Sequence, residues 1–169
     1  QDNRYSLTLS GSNSPIATFT LSAKAAAKTY ITIPLAEAGE KYNPNDATVG
    51  DLDGDGEYEI VLKRETQGYD NSHKGLSPDP LLIEAYRLNG EFMWRIDMGP
   101  NIRQGAHYTQ LSLYDFDGDG CAELAIRTAE GTVFGDGEKI GDTNNDGITD
   151  YVERNPQSGT YGKILAGPE

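Results

Sequence analysis

The sequence predicts an all-β protein made of propeller-like units, and three observations indicate this. Short stretches alternate apolar and polar residues, as half-buried strands do, and none shows the period of an amphipathic helix. The 20 glycines lie mostly between these stretches, where turns are expected. A unit of an acidic turn followed by an apolar stretch occurs twice, as DLDGDGEYEIVLK from residue 51 and DFDGDGCAELAIR from residue 115. Repeated strand units of this kind are typical of propeller blades.

The first 38 residues predict part of an antiparallel sheet. YSLTLS, ATFTLSA and TYITIPL each alternate apolar and polar residues, so we expect three short strands. The run AKAAAK between the last two is too short to distinguish a helical turn from a loop. A polar stretch with Gly39, Pro44 and Asn45 then predicts a linker over residues 37–47. We therefore expect one domain over residues 1–38 and a second over residues 39–169.

The middle of the chain contains the strongest hairpin signal. Two strand-like stretches in LLIEAYRLNGEFMWRIDM flank the dipeptide Asn89-Gly90, which favours a tight turn between antiparallel strands. Tyr86 and Trp94 then lie on neighbouring strands, and we expect both to pack in the core. Because one or two blades cannot close a ring, the remaining blades of a larger protein are expected as partners of this segment.

Charge and composition exclude several classes of partner. The chain carries 14 Lys and Arg against 27 Asp and Glu, a formal net charge of −13. A nucleic-acid-binding face needs basic residues, so neither nucleic acid nor an anionic membrane surface is expected as a partner. No stretch is long and apolar enough to predict a membrane span. Cys121 is the single cysteine, which excludes an intrachain disulfide.

Three acidic turns have the spacing of calcium ligands. Calcium binds six to eight oxygens, and carboxylates at turn positions 1, 3 and 5, a carbonyl at position 7 and a later carboxylate supply them. The first two turns have an apolar residue at position 12, so position 9 is expected to close their shells. The third, DTNNDGITDYVE, matches the full EF-hand loop pattern, although no helix pattern flanks it. The predicted metal ligands are Asp51, Asp53, Asp55, Glu57, Glu59, Asp115, Asp117, Asp119, Cys121, Glu123, Asp142, Asn144, Asp146, Ile148, Asp150 and Glu153, of which Glu57, Cys121 and Ile148 contribute their carbonyl groups.

Several calcium ions are the expected cofactors, with a structural rather than catalytic function. Magnesium prefers a tighter octahedron and retains its waters, and one cysteine with two histidines offers zinc few ligands. The alternative is that the Asp-Gly repeats form turns without any ion.

The amino-acid sequence around the acidic turns narrows the choice of protein family. YNPNDATVGDLDGDGEYEIVLK, EAYRLNGEFMWRIDMGPNIRQGAHYTQLSLYDFDGDGCAELAIRTAEGT and GKILAGPE closely resemble the rhamnogalacturonan lyases of polysaccharide lyase family eleven. The resemblance runs from about residue 42 to residue 169, and NIRQGAHYTQ is its most specific part. The stretch over residues 64–80 and the insertion NNDGITDYVERNPQSGT depart from the family's pattern.

The resemblance implies a fold and a place in a longer protein. The family has a calcium-stabilised β-propeller preceded by a small fibronectin-like β-sandwich. Residues 1–38 would then be the end of the sandwich, and residues 39–169 the first part of an incomplete propeller. The chain would be an N-terminal segment of a secreted, periplasmic or cell-surface bacterial enzyme, and we expect it to be inactive alone.

The resemblance also implies the activity. Such enzymes cleave the rhamnose–galacturonate α-1,4 bond of the pectic polysaccharide rhamnogalacturonan I by β-elimination. This reaction needs a group that neutralises the galacturonate carboxylate, a base, and a group that stabilises the departing oxygen.

Six residues outside the acidic turns are candidates for contact with the substrate. Arg103 suits a carboxylate and His107 can take or give a proton, so these two are the candidate catalytic residues. The alternatives are that Arg103 pairs with an acid and that His107 is a partly buried structural histidine. The candidate substrate-binding residues are Asn71, Ser72, Asn101 and Tyr108.

Two other functions remain open at this point. An integrin-like calcium propeller could bind glycans or mediate adhesion without catalysis. A dockerin-like module is disfavoured, because the turns at Asp115 and Asp142 lack connecting helices.

Overall fold

The structure is a computed structural model that describes residues 2–23, 30–66, 79–105 and 107–165. These residues form an all-β structure, as the sequence predicted, and they contain no helix. The chain divides into two compact units, Gln1–Thr32 and Ile33–Glu169. The strands are β1 (Asn3–Thr8), β2 (Pro15–Leu21), β3 (Asn43–Gly50), β4 (Glu59–Glu65), β5 (Leu82–Tyr86), β6 (Phe92–Asp97), β7 (Ser112–Tyr114) and β8 (Glu123–Ala125).

The first unit contains one antiparallel hairpin, β1–β2. Asn3 lies opposite Leu21, and the register shifts at Leu7 and Thr8. β1 and β2 confirm the first two strands that the sequence predicted. The side chains of both strands are exposed.

The third predicted strand, TYITIPL, is wrong for its described residues, since residues 30–35 form no strand. The backbone just after them binds side chains instead of a neighbouring strand. The amide of Ala36 donates to the Tyr86 hydroxyl at 3.0 Å, and its carbonyl accepts a hydrogen bond from Arg64 Nη1 at 2.7 Å. The Glu37 carbonyl likewise accepts from Arg95 Nη2 at 2.8 Å. Alternation alone cannot reveal that side chains would replace a partner strand.

The predicted linker over residues 37–47 is also partly wrong, because β3 begins within it at Asn43. β3 pairs antiparallel with β4, and a shift in register between Pro44 and Ala47 accommodates the turn-forming residues there. Proline is tolerated in a strand at an edge or a bulge, and β3 lies at the edge of its sheet.

Strands β3 to β6 form an antiparallel meander in the order of the chain, with two faces of different character. One face carries the apolar core, in which Val61, Ile83, Ala85 and Ile96 are buried. Side chains from β7, β8 and the chain after them pack against this core, and these are Leu113, Leu124, Ile126 and Phe134.

The opposite face carries a buried charge network around Glu84. This carboxylate is fully buried and accepts hydrogen bonds from Arg95 Nε at 2.7 Å, Arg64 Nη1 at 3.1 Å and the Tyr86 hydroxyl at 2.5 Å. A buried carboxylate is stable only when its partners compensate the lost hydration, and here two guanidinium groups do so. Burial, followed by the hydrogen bond to Glu84, raises the pKa of Tyr86.

The hairpin predicted around Asn89-Gly90 is confirmed between β5 and β6. Gly90 has φ 93°, and its amide donates to the Arg87 carbonyl at 2.9 Å. Tyr86 is 1 % exposed and packs edge-on against Phe92, with ring centroids 5.6 Å apart. Trp94 is partly buried against the core, as expected.

The second sheet, β7–β8, packs beside β3 at Gly50. A Cβ atom at Gly50 would lie 2.8 Å from Leu113 Cδ2 and 3.1 Å from Ala122 Cβ, so only glycine fits without displacement. Residues 129–165 follow mostly as turns, with isolated bridges such as Val133 to Lys139 and Val152 to Ile164. No helix of the described residues is long and apolar enough to cross a membrane.

We expect Gly50→Ala to lower the free energy of unfolding by about 1–3 kcal/mol, the usual cost of overpacking a well-packed site. Urea unfolding of the intact protein measures this. Gly159→Ala is the matched control, because its Cβ would meet nothing within 4 Å. Equal stability of the two variants would contradict the close contact between β3 and the second sheet.

Tyr42 provides a test at alkaline pH. Its hydroxyl donates to the Pro80 carbonyl at 2.7 Å, and burial, together with the charge of Asp79, raises its pKa to about 12 from 10.0. The folded state therefore favours the neutral phenol. This preference for the neutral Tyr42 phenol stabilises the folded state fully below about pH 10. The contribution is lost as the pH rises through about 12.

The advantage of wild type over Tyr42→Phe should be about 1 kcal/mol near neutral pH, as for one hydrogen bond, and should shrink across that alkaline range. Urea unfolding at a series of pH values measures it. Tyr114→Phe is the control, since Tyr114 is 68 % exposed. A difference that stays constant up to about pH 12 would contradict the assignment.

Candidate functional site

The meander separates the predicted site residues into two groups, which lie at the opposite ends of its strands. These two strand ends form the two edges of the sheet that hold the candidate sites. In an antiparallel meander, alternate connections lie at the same edge. The β3–β4 and β5–β6 turns are therefore at one edge, which holds the first acidic turn. The ends of β4 and β6 are at the other edge, where the segment 101–109 begins.

The first acidic turn is held by the carboxylate of Asp51. Its Oδ1 accepts hydrogen bonds from the amides of Gly54 at 2.7 Å and Asp55 at 3.1 Å, and its Oδ2 accepts from Gly56 at 2.8 Å. Glu59, the first residue of β4, is 1 % exposed and accepts from the Leu52 amide at 2.8 Å. The turn is thereby closed by the strand that follows it.

The second acidic turn repeats this arrangement. Asp115 accepts from the amides of Gly118 at 2.6 Å, Asp119 at 3.1 Å and Gly120 at 3.0 Å. Glu123 Oε2 accepts from the Phe116 amide at 2.8 Å, the same distance as in the first turn. The 64-residue spacing in the sequence therefore corresponds to a true structural repeat.

Carboxylate oxygens converge in both turns. One oxygen from each of Asp51, Asp53 and Glu59 lies within 4.8 Å of the others, and Asp115, Asp117, Asp119 and Glu123 form a similar group. Two ligands on opposite sides of a calcium ion are about 4.6–5.2 Å apart, so each group is compact enough for a single ion. These oxygen-only donor sets fit a hard cation, and the binding of an ion stays a prediction.

Arg87 lies at the mouth of the first turn, and the sequence analysis missed it. Its guanidinium pairs with Asp53, and it lies 3.5 Å from both Asp55 Oδ2 and Glu59 Oε1. This hydrogen bond and ion pair hold the pKa of Asp53 below its usual range. The β5–β6 turn, which carries Arg87, comes back beside the β3–β4 turn in any meander, so strand order could have revealed it.

The two turns also contact each other. The Ala122 amide donates to the Asp51 carbonyl at 2.6 Å. A Cβ atom at Gly54 would lie 3.1 Å from Cys121 Sγ, so the predicted carbonyl ligand Cys121 lies against the first turn. Burial, followed by the nearby Asp119 carboxylate, raises the pKa of the Cys121 thiol. The amides of Glu57 and Cys121 each donate to the preceding aspartate at 2.8 Å.

The third turn has a similar backbone but different side-chain contacts. Asp142 accepts from the amides of Asp146 and Gly147 at 3.2 and 2.7 Å. Asn144 Oδ1 accepts from the Asp146 amide at 3.0 Å. The carbonyl of Ile148 accepts a hydrogen bond from the Tyr151 hydroxyl at 3.2 Å.

Asp150 and Glu153, which were predicted to complete a calcium shell in the third turn, interact with other groups of the protein. Asp150 pairs with Arg154 at 2.6 Å, and Glu153 Oε1 accepts from the Asn155 amide at 2.7 Å. Among the described residues, the carboxylates of this turn form no compact group like those of the first two turns. These predicted ligands therefore lack the convergence seen in the other turns.

At the opposite edge, β4 fixes the segment 101–109. The buried Lys63 Nζ donates to the Tyr108 carbonyl at 3.1 Å and pairs with Asp46 at 2.9 Å. Glu65 Oε2 accepts from the Gly105 amide at 2.9 Å. Gln104 accepts from the Thr66 amide at 2.8 Å. The described residues of this segment are therefore anchored to the sheet although they contain no regular secondary structure.

The structure places the candidate substrate residues in different environments. Asn101 is 5 % exposed and is used structurally: its Nδ2 donates to the carbonyls of Glu130 and Thr149, and its Oδ1 accepts from the Tyr151 amide. His107 is exposed. Asn71 and Ser72 lie outside the described residues.

Arg103 and Tyr108 meet in one cavity. The Arg103 guanidinium lies 5.3 Å from the centre of the Tyr108 ring, a cation–π contact. Both residues line a cavity of about 320 Å³, together with Asn101, Ile102, Thr109, Arg127, Ile164 and Leu165. Sequence reasoning missed Arg127, although it follows Lys63 by the same 64 residues that separate the two turns.

A family model matches the whole of the second unit. The model for rhamnogalacturonan lyase family 11, C-terminal domain, covers residues 32–169. The chain belongs to rhamnogalacturonan lyase family 11. The matched domain is the C-terminal one, so the expectation of an N-terminal segment is corrected: residues 32–169 belong to the family's C-terminal domain.

Individual relatives agree with the family. The chain is 53 % identical over 129 residues to the rhamnogalacturonan exolyase YesX and 52 % identical to the rhamnogalacturonan endolyase YesW, both of Bacillus subtilis. Each match covers 76 % of this chain and 19 % of the relative, so the chain spans about a fifth of their length.

Solved structures show the same fold. The chain matches the structure of the Bacillus licheniformis rhamnogalacturonan lyase PL11 with a TM-score of 0.74 and 45 % identity, over 95 % of this chain and 27 % of that one. It matches the structure of YesW with a TM-score of 0.72 and 44 % identity, over the same shares of the two chains.

Proposed function

We propose that the chain is a segment of a rhamnogalacturonan lyase that cleaves the rhamnose–galacturonate α-1,4 bond by β-elimination. The observation that carries this proposal is the 53 % identity to a protein named as a rhamnogalacturonan exolyase, which extends across both acidic turns and the segment 101–109. The relatives include one exolyase and one endolyase, so the proposal covers the bond that is cleaved and is the same for internal and terminal cleavage.

The four-stranded meander fits one blade of a propeller, and β7–β8 fits the start of the next. A single blade buries little core alone, and Tyr58, Tyr114 and Phe116 are each more than half exposed. Further blades of the same protein are therefore the expected partners of this unit. The hairpin of the first unit would be the end of the preceding β-sandwich.

Calcium is the proposed cofactor of the first two turns. Asp51, Asp53 and Glu59 would hold one ion, and the four converging carboxylates of the second turn would hold another. A bound ion would supply positive charge to carboxylates that otherwise repel one another. The chain's own turn hydrogen bonds already hold the aspartates close together, so little further ordering is required.

Removing calcium should therefore destabilise the protein, and Glu59 gives a specific test. We expect Glu59→Gln to reduce the rise in melting temperature on adding calcium, because it removes a converging carboxylate oxygen. Glu57→Gln is the matched control, since Glu57 is exposed and is expected to contribute only its carbonyl. Thermal melting with calcium and with a chelator measures both variants.

Two outcomes would count against the metal proposal. One is a wild-type melting temperature that is the same in calcium and in chelator. The other is an equal effect of Glu57→Gln and Glu59→Gln, which would show that general charge rather than coordination determines stability.

At the opposite edge we assign substrate contacts to three predicted residues. Arg103 would pair with a galacturonate carboxylate, and Tyr108 orients the guanidinium by stacking. His107 is exposed and would accept the C5 proton, while Asn101 is engaged with backbone groups and is better assigned to support. The net negative charge of the chain would repel an acidic polymer, so such local cations are required.

The substrate determines where the protein acts. Pectic polysaccharide is a polymer outside the bacterial cell, so we propose a secreted, periplasmic or cell-surface location.

His107→Ala should lower kcat/KM on rhamnogalacturonan I by about 100-fold or more if His107 transfers the proton. The unsaturated uronate produced by β-elimination absorbs in the ultraviolet and reports the rate in the intact protein. Gln110→Ala, an exposed change three residues away, is the control and should retain activity.

A fully active His107→Ala variant would remove the histidine from the mechanism. A well-folded full-length protein, of which this chain is one segment, that binds the polysaccharide but forms no unsaturated product would refute the lyase proposal and favour a non-catalytic glycan-binding propeller.

A further inference from the structure

We propose that Arg127, together with Arg103, forms an anion-binding subsite that takes the carboxylate of one uronic acid residue. This inference rests on the proposed function and specifies which groups recognise the acidic sugar. Both arginines line the cavity of about 320 Å³ at the edge opposite the first acidic turn. Its eight described lining residues include these two cations and no acidic side chain.

The position of Arg127 follows from the repeat. Arg127 is the counterpart of Lys63, 64 residues earlier, and each comes shortly after the apolar residues that follow an acidic turn. Strands β4 and β8 run in equivalent directions within their hairpins, so both cations lie toward the edge away from the acidic turns.

The two counterparts differ in burial, and this difference assigns different functions to them. Lys63 is 1 % exposed, and its ammonium group is used within the protein, by Asp46 and the Tyr108 carbonyl. Arg127 is exposed and borders the cavity. Lys63 therefore supports the cavity wall through the Tyr108 carbonyl, whereas Arg127 is itself part of the lining.

The cavity wall is held in place before any ligand arrives. Thr109 adopts φ 56°, an unusual conformation for a β-branched residue, and its hydroxyl donates to the Arg103 carbonyl at 3.2 Å. Ile102 is 5 % exposed. The Tyr108 ring lies against the Arg103 guanidinium. Such ordering reduces the entropy lost on binding.

The chemistry of the lining favours an acidic sugar over a phosphate group alone. Two guanidinium groups match the planar carboxylate, to which arginine binds with two parallel hydrogen bonds. Tyr108 offers a flat ring, and Ile164 and Leu165 offer apolar surface for the less polar side of a sugar. The ligand class is therefore a uronic acid within an oligosaccharide.

The test compares variants of the intact protein on rhamnogalacturonan oligosaccharides. Arg127→Gln should raise KM on the order of 10- to 100-fold, as expected for the loss of a charged hydrogen bond, with a smaller effect on kcat. Arg127→Lys keeps the charge but not the paired geometry and should lie between wild type and Arg127→Gln. Arg4→Gln, an exposed change on β1, is the control and should match wild type.

Direct binding separates this inference from the proposed function. Titration with D-galacturonate and with D-galactose, followed by calorimetry, measures carboxylate recognition without any bond cleavage. We expect wild type to bind D-galacturonate more tightly than D-galactose, and Arg127→Gln to lose that preference. Added salt should weaken the preference in wild type.

The outcomes distinguish the two proposals. If wild type forms unsaturated product but Arg127→Gln keeps the wild-type KM and the galacturonate preference, the subsite is refuted and the lyase assignment stands. If wild type forms no product but prefers galacturonate through Arg127, the lyase assignment fails and the subsite stands. A lower melting temperature of Arg127→Gln with unchanged galacturonate preference would show a purely structural function and overturn the inference.

Discussion

The acidic edge of the second unit depends on the interactions of the buried Glu59 carboxylate. It closes the first turn by accepting the Leu52 amide, and as the first residue of β4 it fixes the turn to the sheet. A carboxylate that is 1 % exposed needs a positive partner, because removal from water costs several kcal/mol. Arg87, at 3.5 Å, supplies part of that charge. The Ala122 amide donates to the Asp51 carbonyl at 2.6 Å, which joins the backbone of this turn to that of the next.

The meander keeps the structural charges and the proposed chemistry apart. Carboxylates collect at the edge with the β3–β4 turn, whereas Lys63, Arg103 and Arg127 lie toward the other edge. An acidic polysaccharide would be repelled by the first edge and attracted to the second. The net charge of −13 therefore describes the whole chain but not the local field that a substrate would meet. β4 links the two edges, because it starts with the turn-closing Glu59 and ends with residues that anchor the segment 101–109.

Local patterns predicted the features that depend on local chemistry. The hairpin at Asn89-Gly90 and the strand after each of the first two acidic turns follow from turn residues and alternation, and the structure contains them. The absence of a strand at residues 30–35 was not predictable, because it depends on Tyr86 and Arg64 binding the backbone around Ala36 from distant parts of the chain. β3 was missed because Pro44 indicates a turn until a bulge at a sheet edge accommodates it. The burial of Asn101 was likewise hidden, since its partners lie about 30 and 50 residues later.

The third turn shows why loop spacing alone does not identify the group that closes a turn. Its position-2 amide, from Thr143, donates to Glu130 Oε1 at 2.5 Å, just as the corresponding amides of the first two turns donate to glutamates. Glu130 precedes its turn, whereas Glu59 follows its own. The Thr143 hydroxyl, which also donates to Glu130, is the main cause that lowers the pKa of this carboxyl group. A glutamate approaching from either side of the chain satisfies the same amide, because closure requires only a carboxylate within hydrogen-bond distance of position 2. The spacing of a turn therefore predicts its backbone, and the surrounding fold determines which side chain completes it.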